Sequence, residues 1–262
     1  MVAVLAGIGG GVLFVPIVGS FFPFHLDFVR GAGLIFALAG TLAAGPQLLR
    51  TGMASLRLVM PLGLAGSIAS VAGALVGLSM GADLVQTVLG AVVIAIAVVI
   101  WRSKPVDPGT VDPDALARLL KLEGDFRDPA AGVRIDWRTH RTLAGFAAFG
   151  AIGFLGGVLG LGAGFANVPA LNLLMAAPLK VAVGSSALII SIINSSAAWV
   201  YIHRGAVLPL LVVPSILGVM LGSRIGARAL AVVPAHQVRW LVIVVMALAG
   251  TRALLRGTGV WI

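Results

Sequence analysis

The sequence contains no cysteine and few charged residues. The absence of cysteine among the 262 residues excludes disulfide bonds, thiolate metal sites and cysteine nucleophiles. Only 10% of the residues are charged and 60% are hydrophobic, whereas soluble domains average about 25% charged residues. A water-soluble fold of this length could not bury so much apolar side chain, so the excess must face lipid. The composition therefore predicts a protein embedded in a bilayer.

Acidic residues are absent from the second half of the chain. All nine Asp and Glu lie at or before Asp136, whereas basic residues continue to Arg256. Cation carriers and proton pumps usually need a carboxylate within the membrane, and only Asp27 and Asp83 lie near apolar stretches. This distribution argues against a metal-cation transporter and favours an anion. The net charge is +9. The basic residues that produce it lie between the apolar stretches, as in membrane-protein loops, so no nucleic-acid partner is predicted.

Eight apolar stretches predict membrane segments, since a helix needs roughly 20 apolar residues to cross a bilayer. They are residues 1–24, 31–49, 58–82, 84–101, 143–179, 181–202, 205–223 and 234–255. The predicted fold is all-α, a polytopic transmembrane helical bundle in the cell membrane. Three regions follow: a first transmembrane repeat over residues 1–102, a hydrophilic cytoplasmic linker over 103–141, and a second transmembrane repeat over 142–262.

The linker and the loop charges predict an orientation. Asp112 is placed to cap a short helix from Pro113 to near Gly124, and a plain solvated linker is the alternative. With eight crossings, the positive-inside rule places both termini, the linker and Arg204 in the cytoplasm and Lys180 on the other side. If residues 143–179 cross twice, the sides change and the repeats become inverted.

A shift of 153 residues aligns the two halves without a gap. Glycine and proline stay in register from Gly7 to Gly73: Gly7, Gly9, Gly11, Val15, Pro16, Gly31, Gly52, Pro61, Ser70 and Gly73 match Gly160, Gly162, Gly164, Val168, Pro169, Gly184, Gly205, Pro214, Ser223 and Gly226. Both residue types weaken helices, so each repeat is predicted to contain a broken helix. Paired broken segments point to the central site of a transporter. The alternative is that these glycines only allow tight helix crossing.

The two glycine motifs carry a family resemblance. Gly7-Ile8-Gly9-Gly10-Gly11-Val12-Leu13-Phe14-Val15-Pro16 and Gly160-Leu161-Gly162-Ala163-Gly164-Phe165-Ala166-Asn167-Val168-Pro169 resemble the two signatures of the TauE/SafE sulfite exporter family, and residues 178–186 and 218–230 resemble its later segments. The resemblance implies a permease, not an enzyme, that exports or exchanges sulfite, organosulfonates or related small anions, driven by a coupling ion. Another small anion is the alternative substrate.

The predicted substrate site combines opened backbone with neutral side-chain donors. Backbone N–H groups at a helix start suit oxyanions. The predicted contacts are Gly9, Gly10, Gly11, Gly162, Ala163, Gly164, Asn167, Ser185, Ser186, Asn194 and Thr41. For each hydroxyl, the alternative is a bond to its own helix backbone. No cofactor and no metal site is predicted, and small-residue helix faces would permit a homodimer.

Two other function classes compete with a transporter. An intramembrane protease needs a Ser/His pair, an Asp pair or a zinc motif, and no spacing in the sequence supports one. A purely structural membrane protein has no use for paired broken segments at membrane depth. The sequence therefore favours a transporter over both.

Overall fold

The computed structural model of the chain describes residues 11, 14–15, 18, 24–102, 111–127, 132–160, 162 and 164–259. Long helices dominate these ranges. The elements in chain order are α1 (Leu26–Arg50), α2 (Leu56–Ser79), α3 (Ala82–Arg102), α4 (Ala115–Leu119), β1 (Glu123–Arg127), β2 (Arg134–Arg138), α5 (Thr142–Leu159), α6 (Gly164–Pro169), a π-helix (Ala170–Leu174), α7 (Leu179–His203), α8 (Pro209–Val232) and α9 (Ala235–Gly257).

Helix length and surface composition fit a bilayer. Within the described ranges, four helices are long and apolar enough to cross a membrane: α1, α2, α5 and α7. Helices α3, α8 and α9 have 21, 24 and 23 residues, and they pack as α3 against α9 and α8 against α1. Large apolar side chains point outward, such as Ile68 and Leu210 with exposures of 77% and 88%. These outer faces suit lipid rather than water.

Helix α7 lies at the centre of the bundle. Its residues from Lys180 to Ser191 are all buried, and it packs against α1, α2 and α6. Burial on every side is typical of a helix that other helices enclose. The helix contains five serines and Asn194, and Ser185, Ser186, Ser191 and Asn194 are buried within the bundle.

Helices α2 and α5 pack with their backbones in contact. A Cβ at Gly73 would overlap the carbonyl of Phe154, and a Cβ at Gly153 would overlap the carbonyl of Gly66. Close backbone approach of this kind supports helix association where lipid removes the hydrophobic driving force. Because Gly66 meets Gly153 and Gly77 meets Val158, the two helices run in the same direction.

Loop contacts define two ends of the bundle, which we call the linker end and the far end. At the linker end, the backbone N of Ser55 donates to Ser185 Oγ at 3.1 Å, and the backbone N of His140 donates to the Met175 carbonyl at 3.4 Å. At the far end, Gly31 lies against the Ala206 carbonyl. The loops at 51–55, 139–141 and 175–178 therefore share one end, and the loop at 204–208 lies at the other.

The single crossing predicted for residues 143–179 is wrong. Helix α5 leaves the linker end, and α6 with its π-helix returns to that end at Met175. The reason is the conformation of Gly160 and Gly162, whose φ angles of +64° and +76° reverse the chain rather than interrupt one span. Consequently Lys180 lies at the linker end and Arg204 at the far end, the opposite of the predicted sides.

The linker departs from the predicted all-α fold. Strands β1 and β2 pair antiparallel, with Phe126 opposite Ile135 and Gly124 opposite Trp137. Side chains alternate along a strand, so Phe126 and Trp137 share one face, and both are buried. The charged residues between them occupy the exposed face. Two short alternating strands therefore stand where the end of a helix was predicted.

The predicted linker helix is shorter than expected and has a different cap. Helix α4 spans Ala115–Leu119, and Asp114, not Asp112, caps it by accepting from the Ala117 backbone N at 2.9 Å. The same carboxylate accepts from the backbone N and the hydroxyl of Thr142 at 2.8 and 2.7 Å. One side chain thus fixes α4 and the start of α5 to each other.

Candidate functional site

The break between α5 and α6 is built on two left-handed glycines. Helix α5 ends at Gly160, whose backbone N donates to the Gly156 carbonyl at 3.0 Å, and α6 begins at Gly164. Residues other than glycine strain the backbone by about 1–3 kcal/mol in such sparsely populated conformations. The glycines at 160 and 162 are therefore needed for the reversal itself.

Asn194 of α7 lies directly over this break. A Cβ placed on Gly162 would be 2.6 Å from Asn194 Nδ2 and 3.0 Å from its Oδ1. Asn194 has no exposed surface, and neither amide atom has a hydrogen-bond partner among the residues that the structure describes. A glycine at 162 is thus the residue that allows this carboxamide to reach the backbone of the broken segment.

A second carboxamide, that of Asn167, shares this property. Asn167 lies in α6, which packs against α7. It is fully buried, and within the described ranges both of its amide atoms lack a partner. An unsatisfied buried polar group costs about 1–3 kcal/mol, so two amides left open beside one break call for an explanation. A bound polar ligand would satisfy them.

The charge around the break favours an anion. The buried polar side chains of the described residues include Arg30 and Lys180 but no Asp or Glu. Nor do those residues contain any group of three or more His, Cys, Asp or Glu placed to hold a metal ion. With neutral amide donors at the break and no buried carboxylate among the described residues, the site suits a small oxyanion better than a cation.

The other predicted site residues have different surroundings. Thr41 is buried, and its hydroxyl donates to its own helix at the carbonyls of Ala37 and Leu38, 2.9 and 3.0 Å away. Ser185 accepts from the loop at Ser55. It lies nine positions before Asn194, which is about 14 Å along a helix.

The remaining predicted contacts are the glycines and Ser186. Gly11, Gly162, Gly164 and Ser186 are buried. Gly9, Gly10 and Ala163 lie outside the described residues. The structure therefore brings together Gly162 and Asn194, places Asn167 in the adjoining helix, and sets Ser185 nearer to the linker end.

The sequence analysis did not single out Arg30, which falls between the predicted segments 1–24 and 31–49. The arginine lies inside α1 and is 1% exposed, the largest fully buried side chain among the described residues. Helix α1 begins at Leu26, five residues before the apolar stretch. The signal was the spacing of Asp27 and Arg30, since side chains three apart share a helix face.

A broken helix facing buried, neutral hydrogen-bonding groups is typical of a membrane permease. The family model described as Sulfite exporter TauE/SafE matches residues 1–253. The chain belongs to the TauE/SafE sulfite exporter family. The match covers both glycine motifs and confirms the resemblance predicted from them. Neither a curated protein nor a solved structure matches the chain.

Membership of the TauE/SafE family indicates that the chain is a transporter and that it lies in a membrane. Its members are membrane permeases, and the four membrane-length apolar helices agree with that assignment. The protein is therefore a multi-pass membrane transporter. The predicted location in the cell membrane is confirmed.

Proposed function

We propose that this TauE/SafE protein is a secondary transporter that moves a small sulfur-containing oxyanion, sulfite or an organosulfonate, across the cytoplasmic membrane. The observation that carries the proposal is a pair of buried carboxamides, Asn194 over Gly162 and Asn167 in the adjoining α6, which have no hydrogen-bond partner among the described residues. Moving an anion from water into a low-dielectric interior costs several kcal/mol of hydration free energy, unless hydrogen-bond donors of the protein replace the water. Amide N–H groups supply such donors without adding an acid.

The proposed site has a counterpart in the first half of the chain. Thr41 stands 153 positions before Asn194, and Gly9 stands 153 before Gly162. We include the backbone near Gly9–Gly11 and the Thr41 side chain in the site on this basis. To bind a ligand, the Thr41 hydroxyl would exchange its bond to the Ala37 or Leu38 carbonyl.

We further infer that the two halves are inverted repeats. Helices α1 and α7 begin 153 residues apart, as do α2 and α8, and α3 and α9. Gly31 lies against the carbonyl of Ala206, and its counterpart Gly184 lies against that of Met53. Each residue in one contact is thus 153 positions from a residue in the other.

The directions of the paired helices support inversion. Helix α1 runs from the far end to the linker end, where Met53 and Ser55 meet the start of α7, and α7 runs back to Ala206 beside the start of α1. Transporters with such repeats expose a central site alternately to each side by rocking one part against another. The second repeat contributes the broken segment at residues 160–164, and the predicted counterpart at residues 7–11 lies mostly outside the described residues.

Flux measurements on the purified protein in liposomes test the proposed function. Asn194→Ala should lower kcat/KM for sulfite by the equivalent of one charge-assisted hydrogen bond, about 1.5–3 kcal/mol. Ser195→Ala is the matched control, because Ser195 is exposed and its hydroxyl donates to its own helix at Ile192. A panel of sulfonates and other small anions identifies the substrate.

Two outcomes would contradict the proposal. If Asn194→Ala and Ser195→Ala both transport like the parent protein, the anion binds elsewhere. If the parent moves cations but none of the anions, the predicted substrate class is wrong.

A further inference from the structure

Arg30 is a permanently charged side chain at a position from which water is excluded. Its guanidinium carries five N–H donors and stays protonated in proteins. Burying such a charge costs several kcal/mol unless partners compensate it. At 1% exposure, Arg30 therefore depends on its neighbours.

Those neighbours satisfy only part of the guanidinium. Nη1 donates to Asp27 Oδ1 at 3.1 Å and to the Gly77 carbonyl at 3.2 Å. Nη2 is buried and has no hydrogen-bond partner in the part of the chain that the structure describes. Asp27 is itself 28% exposed, so the carboxylate that pairs with Arg30 reaches the far-end surface.

The stem of Arg30 packs on the first residue of the break. A Cβ on Gly160 would lie 2.8 Å from Arg30 Cγ and closer still to its Cβ. One turn further along α1, Gly33 lies against the Gly160 carbonyl. Arg30 thus stands between the far-end surface and the glycine reversal that carries Gly162.

Four helices meet at this guanidinium. Arg30 and Asp27 belong to α1, and Gly77 belongs to the last turn of α2. Buried Tyr201 of α7 faces the same guanidinium, and its hydroxyl donates to the Gly157 carbonyl of α5 at 3.3 Å. A change in what Arg30 binds therefore acts on α1, α2, α5 and α7 together.

We propose that Arg30 is a second anion subsite at the far end of the path, in which a substrate oxyanion binds the open Nη2 and displaces the Asp27 carboxylate from Nη1. The inference rests on the proposed anion transport. A guanidinium binds planar or pyramidal oxyanions with two parallel donors, and with Asp27 in place only one of the two terminal nitrogens is open. Asp27 thus competes with the substrate for Nη1 of Arg30.

If Asp27 competes with the substrate, substitutions at Arg30 and at Asp27 should change the KM for sulfite in opposite directions. Arg30→Lys keeps the charge but loses the two-nitrogen fork, so the KM for far-end sulfite should rise by roughly 10- to 100-fold, the worth of one charge-assisted hydrogen bond. Asp27→Asn removes the competing charge, so this KM should fall several-fold. A purely structural ion pair would predict losses from both changes.

The experiment measures sulfite flux in oriented proteoliposomes, with sulfite supplied at the far end, together with sulfite binding to the detergent-purified protein. Arg204→Lys and Asp83→Asn are the matched controls, since both are exposed residues at the far end, and they should keep the parent KM. Monodisperse elution of each variant checks that it is folded. The tighter binding expected of Asp27→Asn is a gain that misfolding cannot produce.

The outcomes separate this inference from the proposed function. If the parent transports sulfite but Arg30→Lys and Asp27→Asn keep its KM, the Arg30 subsite is overturned and the central site stands. If Asp27→Asn raises the KM, the ion pair is structural and the subsite is likewise overturned. If the parent moves none of the anions, the proposed function fails and the subsite fails with it.

Discussion

At the residue scale, Gly162 serves the backbone and the ligand site at once. Its φ of +76° suits glycine, and the missing side chain leaves room for the Asn194 carboxamide. A substitution therefore has two separable effects. One is the strain of a left-handed residue, and the other is the collision with Asn194.

A matched pair of variants separates these effects. Gly162→Ala and Gly205→Ala both place a methyl group at a left-handed position, with φ of +76° and +69°, and each should lower stability by about 1–3 kcal/mol. Nothing lies within 4 Å of a Cβ at Gly205. Only Gly162→Ala should therefore abolish sulfite flux at equal amounts of inserted protein. Equal flux from the two variants would show that the break does not touch the substrate.

The sequence predicted the backbone of the site better than its side chains. Glycine at alternate positions signals an unusual backbone wherever it occurs, so Gly160–Gly164 was recognisable without a structure. Ser185 and Asn194 were indistinguishable, because both are polar residues in one apolar helix. Only the contacts of the folded chain separate them: Ser185 meets the Ser55 loop, and Asn194 meets Gly162.

At the element scale, the membrane helices were predictable and the linker was not. Long apolar runs predict α1, α2 and α7, because burial in lipid follows directly from composition. Strands β1 and β2 have five residues each, and in each strand only one residue is both apolar and fully buried. Their only apolar signal is the alternation that puts Phe126 and Trp137 on one face, which is too short to exclude a helix.

Asp114 is the residue that attaches the linker to the bundle. Partial burial raises the pKa of Asp114, but hydrogen bonds from the Thr142 hydroxyl and from the backbone N–H groups of Thr142 and Ala117 outweigh it, so the net pKa is lowered. A lowered folded-state pKa means that the carboxylate stabilises the fold above its unfolded pKa, near 3.9 for aspartate. That contribution is lost as the pH falls through the lower folded-state pKa.

Replacing this cap should loosen α4 and the first turn of α5. Asp114→Ala is expected to cost about 1–2 kcal/mol of local stability, as for other helix caps, and amide hydrogen exchange at Ala117 and Thr142 should speed up accordingly. Asp112→Ala is the control, since Asp112 is exposed and does not cap α4. The difference between parent and Asp114→Ala should begin to shrink near pH 4 and be lost as the pH falls through the lower folded-state pKa of Asp114. Equal rates of amide hydrogen exchange in Asp114→Ala and Asp112→Ala would show that Asp114 does not hold α4 against the start of α5.

At the scale of the whole molecule, charge and chain direction together set the orientation. Arg50, Arg57, Lys180 and the basic residues of the linker lie at the linker end. Positive loops stay in the cytoplasm, so we expect the linker end to face the cytoplasm, as the sequence predicts. Because α5 and α6 form a returning pair, Arg204 and the end of α9 lie on the other side.

Single cysteines test this orientation cleanly, since the chain has no cysteine of its own. Arg204→Cys and Thr258→Cys, both exposed positions at the far end, should react in intact cells with a thiol reagent that cannot cross the membrane. Val133→Cys, 55% exposed in the linker, should react only after the cells are permeabilised. If Val133→Cys and Arg204→Cys are protected or labelled together, residues 143–179 cross only once and the inverted arrangement is wrong. If the pattern is reversed, the two ends keep their relation and the linker faces outward, which would make this chain an exception to the positive-inside rule.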